Sequence, residues 1–248
     1  MSDIEALLAR IKQIHAELRA EGEEHQHFAS TYSRTTASLK SEVERGGFVD
    51  NVWAERWDLV FGQLYLDAVD AWRAGGDPPL PWRIAFDASS DHVLPPLRHV
   101  LIAMNAHINY DLPQALIRII EPDEFDDRAL MAKRSADHAH VDEILLGNVA
   151  AEDEELKAIE EPGDRTLLDW MLQPFNRSGT KRFLKEARRK VWANAFELNA
   201  ARRAGPTEYA ARLKELEKLS EKRVAELREP GQVLLRLAIR GFGVELAR

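Results

Sequence analysis

Polar residues that can do chemistry alternate inside one very apolar stretch of the sequence, LRHVLIAMNAHINYDLPQALIRII at 97–120. His107 and Asp111 are four residues apart and so share one face of a helix; Asn105 and Asn109 form a second such pair. A histidine and a carboxylate one turn apart can hold a metal ion, or the carboxylate can orient the histidine as a general base. Because burying such groups unused costs free energy, we predict that His107, Asp111 and Asn109 are catalytic. A hydrogen bond that only stabilises the core is the alternative.

The same spacing recurs at His138 and Asp142, within the polar sequence SADHAHVDE. If the two helices pack against each other, both pairs can meet around one metal ion, as in metal-binding helix bundles. Histidine and aspartate ligands suit zinc, iron and manganese alike, so we predict a divalent metal cofactor of one of these kinds. The predicted ligands are His107, Asp111, His138 and Asp142. The alternative is that the second pair faces solvent.

Apolar residues at helical spacing predict that the elements carrying these residues are helices. The helices are expected over 3–20, 24–43, 51–74, 97–120, 125–149, 150–160, 165–173, 178–203, from 206 onward and over 233–239. No stretch shows the strict alternation of a strand, so the predicted class is all-α. We expect residues 1–248 to form a single multi-helix bundle with 97–120 buried at its centre. Residues 205–248 are expected to be a C-terminal helical extension packed on it.

Composition excludes several classes of protein. The 248 residues carry a formal net charge of -8, which disfavours nucleic-acid binding, and the basic residues between 181 and 190 fit a solvated helix face. Cysteine is absent, which excludes disulfides and cysteine nucleophiles. Charges are threaded through the first eighteen residues and through 97–120, so we expect neither a signal peptide nor a membrane span. The predicted location is cytoplasmic, and His25 and His27 are expected at the surface.

The run LIAMNAHINYDLPQAL resembles DUF5995, a bacterial all-helical family of unknown function. The flanking sequences RWDLVFGQLYLDAVDAW, WRIAFDA, DHAHVDEIL and ARRKVWANA share the resemblance, which covers about 25–200. It implies that one pocket is lined by His107, Asn109, Asp111 and Asp67. Asp137, His138 and Trp192 are implied to lie nearby. We expect Asp67, Tyr110 and Trp192 to contact the substrate. At HxxxD followed by proline, the sequence is also similar to the zinc-dependent phospholipase C and P1-nuclease group. It lacks the many further histidines of that group.

Three functions are consistent with these residues. The first is a metal-dependent enzyme, hydrolytic or oxidative, that acts on a small molecule. The second is a metal-free acid–base enzyme or a small-molecule binding protein that uses the same polar residues. The third is a helical interaction protein whose buried polar residues only fix the register of its helices. A homodimer is one form that such a protein can take.

Overall fold

The computed structural model describes residues 3–157, 174–229, 231 and 233–247. Every regular element in these ranges is helical and none is a strand, which confirms the all-α prediction. The α-helices are α1 (Asp3–Glu21), α2 (Gln26–Glu44), α3 (Asn51–Arg73), α4 (Leu80–Asp87), α5 (Pro96–Ala106), α6 (Leu112–Ile119), α7 (Arg128–Lys157), α8 (Pro174–Ala204), α9 (Pro206–Arg228) and α10 (Val233–Arg240). The predicted helices at 125–149 and 150–160 are joined in α7, and the one at 165–173 lies outside the described residues.

The predicted central helix 97–120 forms in two parts joined by a π-helical turn at His107–Asp111. In this turn the Leu112 N–H donates to the carbonyl of His107, five residues back, in place of the usual four. Pro113 lies in the first turn of α6, where its missing N–H is not needed. Residues on all sides of α5 and α6 are buried, among them Ile102 and Leu116, so this segment is the centre of the fold.

The helices around this centre bury a wide face of α3. Ala54, Asp58 and Gly62 follow each other four residues apart along it, and all three are buried. A Cβ on Gly62 would lie 2.7 Å from the methyl carbons of Leu7, so the missing side chain allows α1 to pack closely on α3. Helix α2 packs on α1 and α5, and α9 packs on α4, α5 and α8. None of the described helices combines the length and the apolar character needed to cross a membrane.

After α10, residues 241–247 run without regular structure, and Phe242, Gly243, Val244 and Leu246 are buried. Gly241 has a positive φ of 77°, which turns the chain out of α10 at no steric cost. Phe242, Val244 and Leu246 point into the two hydrophobic clusters of the core. We refer to residues 241–247 as the C-terminal segment.

Truncating Leu101 tests the central position of α5. Leu101 is 3% exposed, and Leu101→Ala is expected to lower the free energy of unfolding by about 2–5 kcal/mol because it leaves a cavity in a packed interior. Ile108, in the π-helical turn, is only half-buried, so Ile108→Ala is expected to cost less. Urea denaturation of both variants measures the difference. A loss below about 1 kcal/mol for Leu101→Ala would contradict the central placement.

Candidate functional site

His107 and Asp111 form the hydrogen-bonded pair that their spacing predicts. His107 Nδ1 lies 2.9 Å from Asp111 Oδ2, and the Trp82 indole N–H donates to the same oxygen at 2.8 Å. Because an indole nitrogen only donates, Oδ2 acts as an acceptor, and we assign the His107 proton to Nδ1. The π-helical turn favours this pairing, since its wider turn brings residues four apart nearly into line along the axis.

Aromatic rings enclose the imidazole of His107. The Phe61 ring stacks on it with centroids 3.6 Å apart and planes 5° apart. The Tyr32 ring meets it edge-on at 4.8 Å, and Trp82 lies at 5.7 Å. Phe61 itself stacks on Trp57, one turn earlier on α3. Rings from α2, α3 and α4 therefore fix the orientation of the imidazole on several sides.

Burial determines the protonation of this pair. Loss of water lowers the pKa of His107, against an opposing effect of the Asp111 carboxylate. Burial raises the pKa of Asp111, although hydrogen bonds from His107 and Trp82 oppose that shift. The imidazole is therefore neutral near pH 7, and with its proton on Nδ1 its Nε2 carries a free lone pair.

Several buried polar atoms of the π-helical turn and of α2 and α3 have no hydrogen-bond partner among the described residues. They are Nε2 of His107, the hydroxyls of Tyr32 and Thr36, and both carboxylate oxygens of Asp58. Burial raises the pKa of Asp58 to about 7, and Asp58 in turn helps to raise that of Tyr32. Because each unsatisfied buried group costs about 1–3 kcal/mol, water or a bound molecule has to supply these hydrogen bonds. We call His107, Asp111, Trp82, Phe61 and Tyr32 the His107 site.

His138 and Asp142 lie in other surroundings. His138 is buried between Trp57, with ring centroids 5.4 Å apart, and Trp192, at 5.9 Å. Burial lowers its pKa to about 3, so it is neutral, and its Nδ1 finds no partner in the described part of the chain. Asp142 instead forms an ion pair with Arg188 of α8, although burial raises the pKa of this carboxyl to about 6.

The structure does not bring the four predicted metal ligands together. Within the described ranges no three His, Cys, Asp or Glu side chains lie together in a way that could hold a metal ion. Nδ1 of His107 and Oδ2 of Asp111 also point at each other, at hydrogen-bond distance, and not at a shared third point. The four predicted metal ligands are His107, Asp111, His138 and Asp142.

Other predicted site residues are used elsewhere. The amide of Asn109 is fully occupied by the backbone of the C-terminal segment. Asp67 is exposed and accepts from Gln63, so it does not join the His107 site. Tyr110 is buried near Glu217 of α9, and burial raises its pKa.

Two further residues of the predicted pocket are also accounted for. Trp192 packs beside His138, with ring centroids 5.9 Å apart. The Asp137 carboxylate accepts the backbone N–H groups of Val49 and Asp50, and so joins the loop before α3 to α7.

Sequence reasoning missed the residues that α2 and its preceding turn contribute. His25 was predicted at the surface, which is wrong: it is 2% exposed and its Nε2 lies 3.2 Å from the Tyr65 hydroxyl. Tyr32 and Thr36 were not recognised as polar groups of a site. For Asp58 a signal existed, because an acid in line with Ala54 and Gly62 on a row of small residues indicates close helix packing.

The comparisons with known proteins agree with the sequence resemblance. No curated protein and no solved structure matches the chain. A family model described as a family of unknown function, DUF5995, matches residues 4–230, which is most of the sequence. The match includes every residue of the His107 site. The chain therefore belongs to the DUF5995 family.

Proposed function

We propose that the protein binds a small, uncharged, planar molecule at the His107 site and acts on it as a metal-free acid–base enzyme, with Nε2 of His107 as the base. One observation carries this proposal: Nδ1 is fixed by Asp111, while Nε2 is buried without a partner among the described residues. This is the arrangement that an oriented general base requires. Asp111 is then the residue that holds the imidazole in its working tautomer, and Trp82 holds Asp111.

The surroundings indicate the chemistry of the ligand. The rings of Phe61, Tyr32 and Trp82 make the surroundings of His107 aromatic, which favours a flat molecule of the same kind, since aromatic groups pack well stacked or edge-on. The unpartnered Nε2 of His107 is an acceptor, so the ligand should carry an N–H or O–H donor. The Asp111 carboxylate disfavours an anionic ligand, because like charges repel strongly in a buried site.

Pyrrole and furan test the proposal, because they have the same shape and only pyrrole has an N–H donor. At about 10 mM, fragments of this size should bind detectably, and pyrrole should raise the melting temperature more than furan does. His107→Asn keeps an N–H near Asp111 but removes the acceptor at the Nε2 position. In this variant the two fragments should have equal effects.

Two results would count against the proposal. Equal stabilisation of the unchanged protein by pyrrole and furan would show that no acceptor is available in the site. A pyrrole preference that survives in His107→Asn would place the acceptor elsewhere. In the first case the buried polar residues only hold the helices in register, and the interaction-protein interpretation is favoured.

A further inference from the structure

The C-terminal segment is held through its backbone by side chains from two helices and the π-helical turn. Asn109 donates to the Phe242 carbonyl at 3.1 Å and accepts the Val244 N–H at 3.0 Å. Asn194 of α8 repeats this fork two residues further on: it donates to the Val244 carbonyl at 3.0 Å and accepts the Leu246 N–H at 2.8 Å. The two amides therefore bond to the backbone of alternate residues of the segment, Phe242, Val244 and Leu246.

Three further side chains complete the grip. Asn105 of α5 adds a second donor to the Phe242 carbonyl, at 2.9 Å. One oxygen of Glu186 accepts the N–H groups of Phe242 and Gly243, both at 3.1 Å, and Lys190 donates to the Gly243 carbonyl at 2.9 Å. Alternate side chains of the segment fill the core. Backbone bonding combined with alternate buried side chains is how proteins bind extended peptides.

The hydrogen bonds to the C-terminal segment reach the His107 site through Asn109. This residue lies in the middle of the π-helical turn, between His107 and Asp111, and its side chain is buried with both amide atoms bonded to the segment. If the segment left, the Asn105 and Asn109 amides would lose their partners inside the core, which is costly. The segment therefore opposes any rearrangement of the turn.

We infer that the C-terminal segment is an intramolecular peptide ligand that locks the π-helical turn and thereby positions His107 against Asp111. Asn109, predicted from the sequence as catalytic, is in this view a positioning residue. The inference rests on the proposed function for the importance of that position, but the lock itself can be observed without any ligand.

Asn194→Asp is the decisive variant, because Asn194 grips the segment from α8 and not from the turn. Replacing its donor with a carboxylate oxygen repels the Val244 carbonyl. The carboxylate can still accept the Leu246 N–H, but loss of the bond to the Val244 carbonyl should release the segment more often, so the hydrogen-exchange protection of the Leu246 amide should fall by about tenfold or more. The side-chain ¹⁵N signals of His107, read in the ligand-free protein, should then shift. Asn109→Asp should shift them too.

Asn199→Asp is the matched control, since Asn199 lies on the same helix but donates to the Pro122 carbonyl, away from the segment. It should leave both the Leu246 protection and the His107 signals unchanged. If Asn194→Asp releases the segment and the His107 signals stay in place, the segment does not position the pair and the inference is overturned.

The unchanged protein offers a test that does not depend on variants folding. If the segment locks the turn, the backbone amides of residues 110–112 should exchange in one opening event with those of Val244 and Leu246, at the same free energy. Exchange of the segment at much lower free energy than the turn would contradict the lock. Because these readouts need no pyrrole, failure of the lock and failure of the proposed function are distinguished.

Discussion

Asp111→Leu is expected to abolish the preference of the site for pyrrole over furan, whereas Asp111→Asn should retain it. A single oxygen, Oδ2 of Asp111, accepts from both Trp82 and His107, and the carbonyl oxygen of an asparagine can take the same place. Nδ1 of His107 then keeps its proton, and Nε2 stays the acceptor. Leucine offers no acceptor, so the proton of His107 is no longer held on Nδ1. Fragment titrations followed by ¹⁵N spectra of His107 measure both the affinity and the tautomer.

The two variants should also differ in stability. Asp111→Leu removes the oxygen that accepts from Trp82 and His107 and leaves both N–H groups unsatisfied in the core, at about 1–3 kcal/mol each. Asp111→Asn keeps a partner for each and should cost much less. If both variants unfold to a similar extent, the carboxylate serves the stability of the core. Loss of the pyrrole preference in Asp111→Asn, or its survival in Asp111→Leu, would contradict a role for Asp111 in orienting the base.

Asp58→Asn is expected to stabilise the protein at pH 8. The carboxyl has a pKa of about 7 in the folded protein against 3.8 in the unfolded chain, so protonation of this carboxyl stabilises the folded state. Its contribution is complete below pH 4 and is lost as the pH rises through 7. A difference of this size corresponds to on the order of 4 kcal/mol. The variant, which is neutral at every pH, should gain a few kcal/mol at pH 8 and almost nothing at pH 4.

Asp137→Asn, a change at another buried carboxyl, is expected to lower the stability instead. The Asp137 carboxylate accepts two backbone N–H groups, at 2.7 and 3.0 Å, and an amide can accept only one of them. This variant should lose about 1–3 kcal/mol. Denaturation curves at pH 4, 6 and 8 test both variants. A loss of stability in Asp58→Asn at pH 8 would mean that the charged carboxylate has partners that satisfy it.

The sequence predicted the central element because its signal is local. Apolar residues on all sides of 97–120 indicate burial, and the four-residue spacing of His107 and Asp111 is enough to make them meet within one element. The position of Asn109 followed from the same spacing. Its partner did not, because helical periodicity says which face a residue occupies and nothing about the segment that covers that face.

For the same reason the sequence could not show whether the four predicted metal ligands meet. Placing His138 and Asp142 beside His107 required the packing of α7 against α5, and that depends on side chains far apart in the sequence. In the structure Trp57 and Trp192 flank His138, and Arg188 takes Asp142. His25 was assigned to the surface because its neighbours are charged, but the turn before α2 lies over Tyr65 and Phe86.

The grip on the C-terminal segment also has a consequence for the order of folding. The bonds from Asn105 and Asn109 to Phe242 join residues 137 and 133 positions apart in the chain. Contacts of such long range form late, because the entropy of closing the intervening chain is lost before they contribute any stability. The pair of His107 and Asp111 is local and can meet early within its own turn. If the C-terminal segment holds the turn as inferred, the geometry of this pair is fixed only when the segment docks, so a partly folded molecule contains the pair but not the restraint on it.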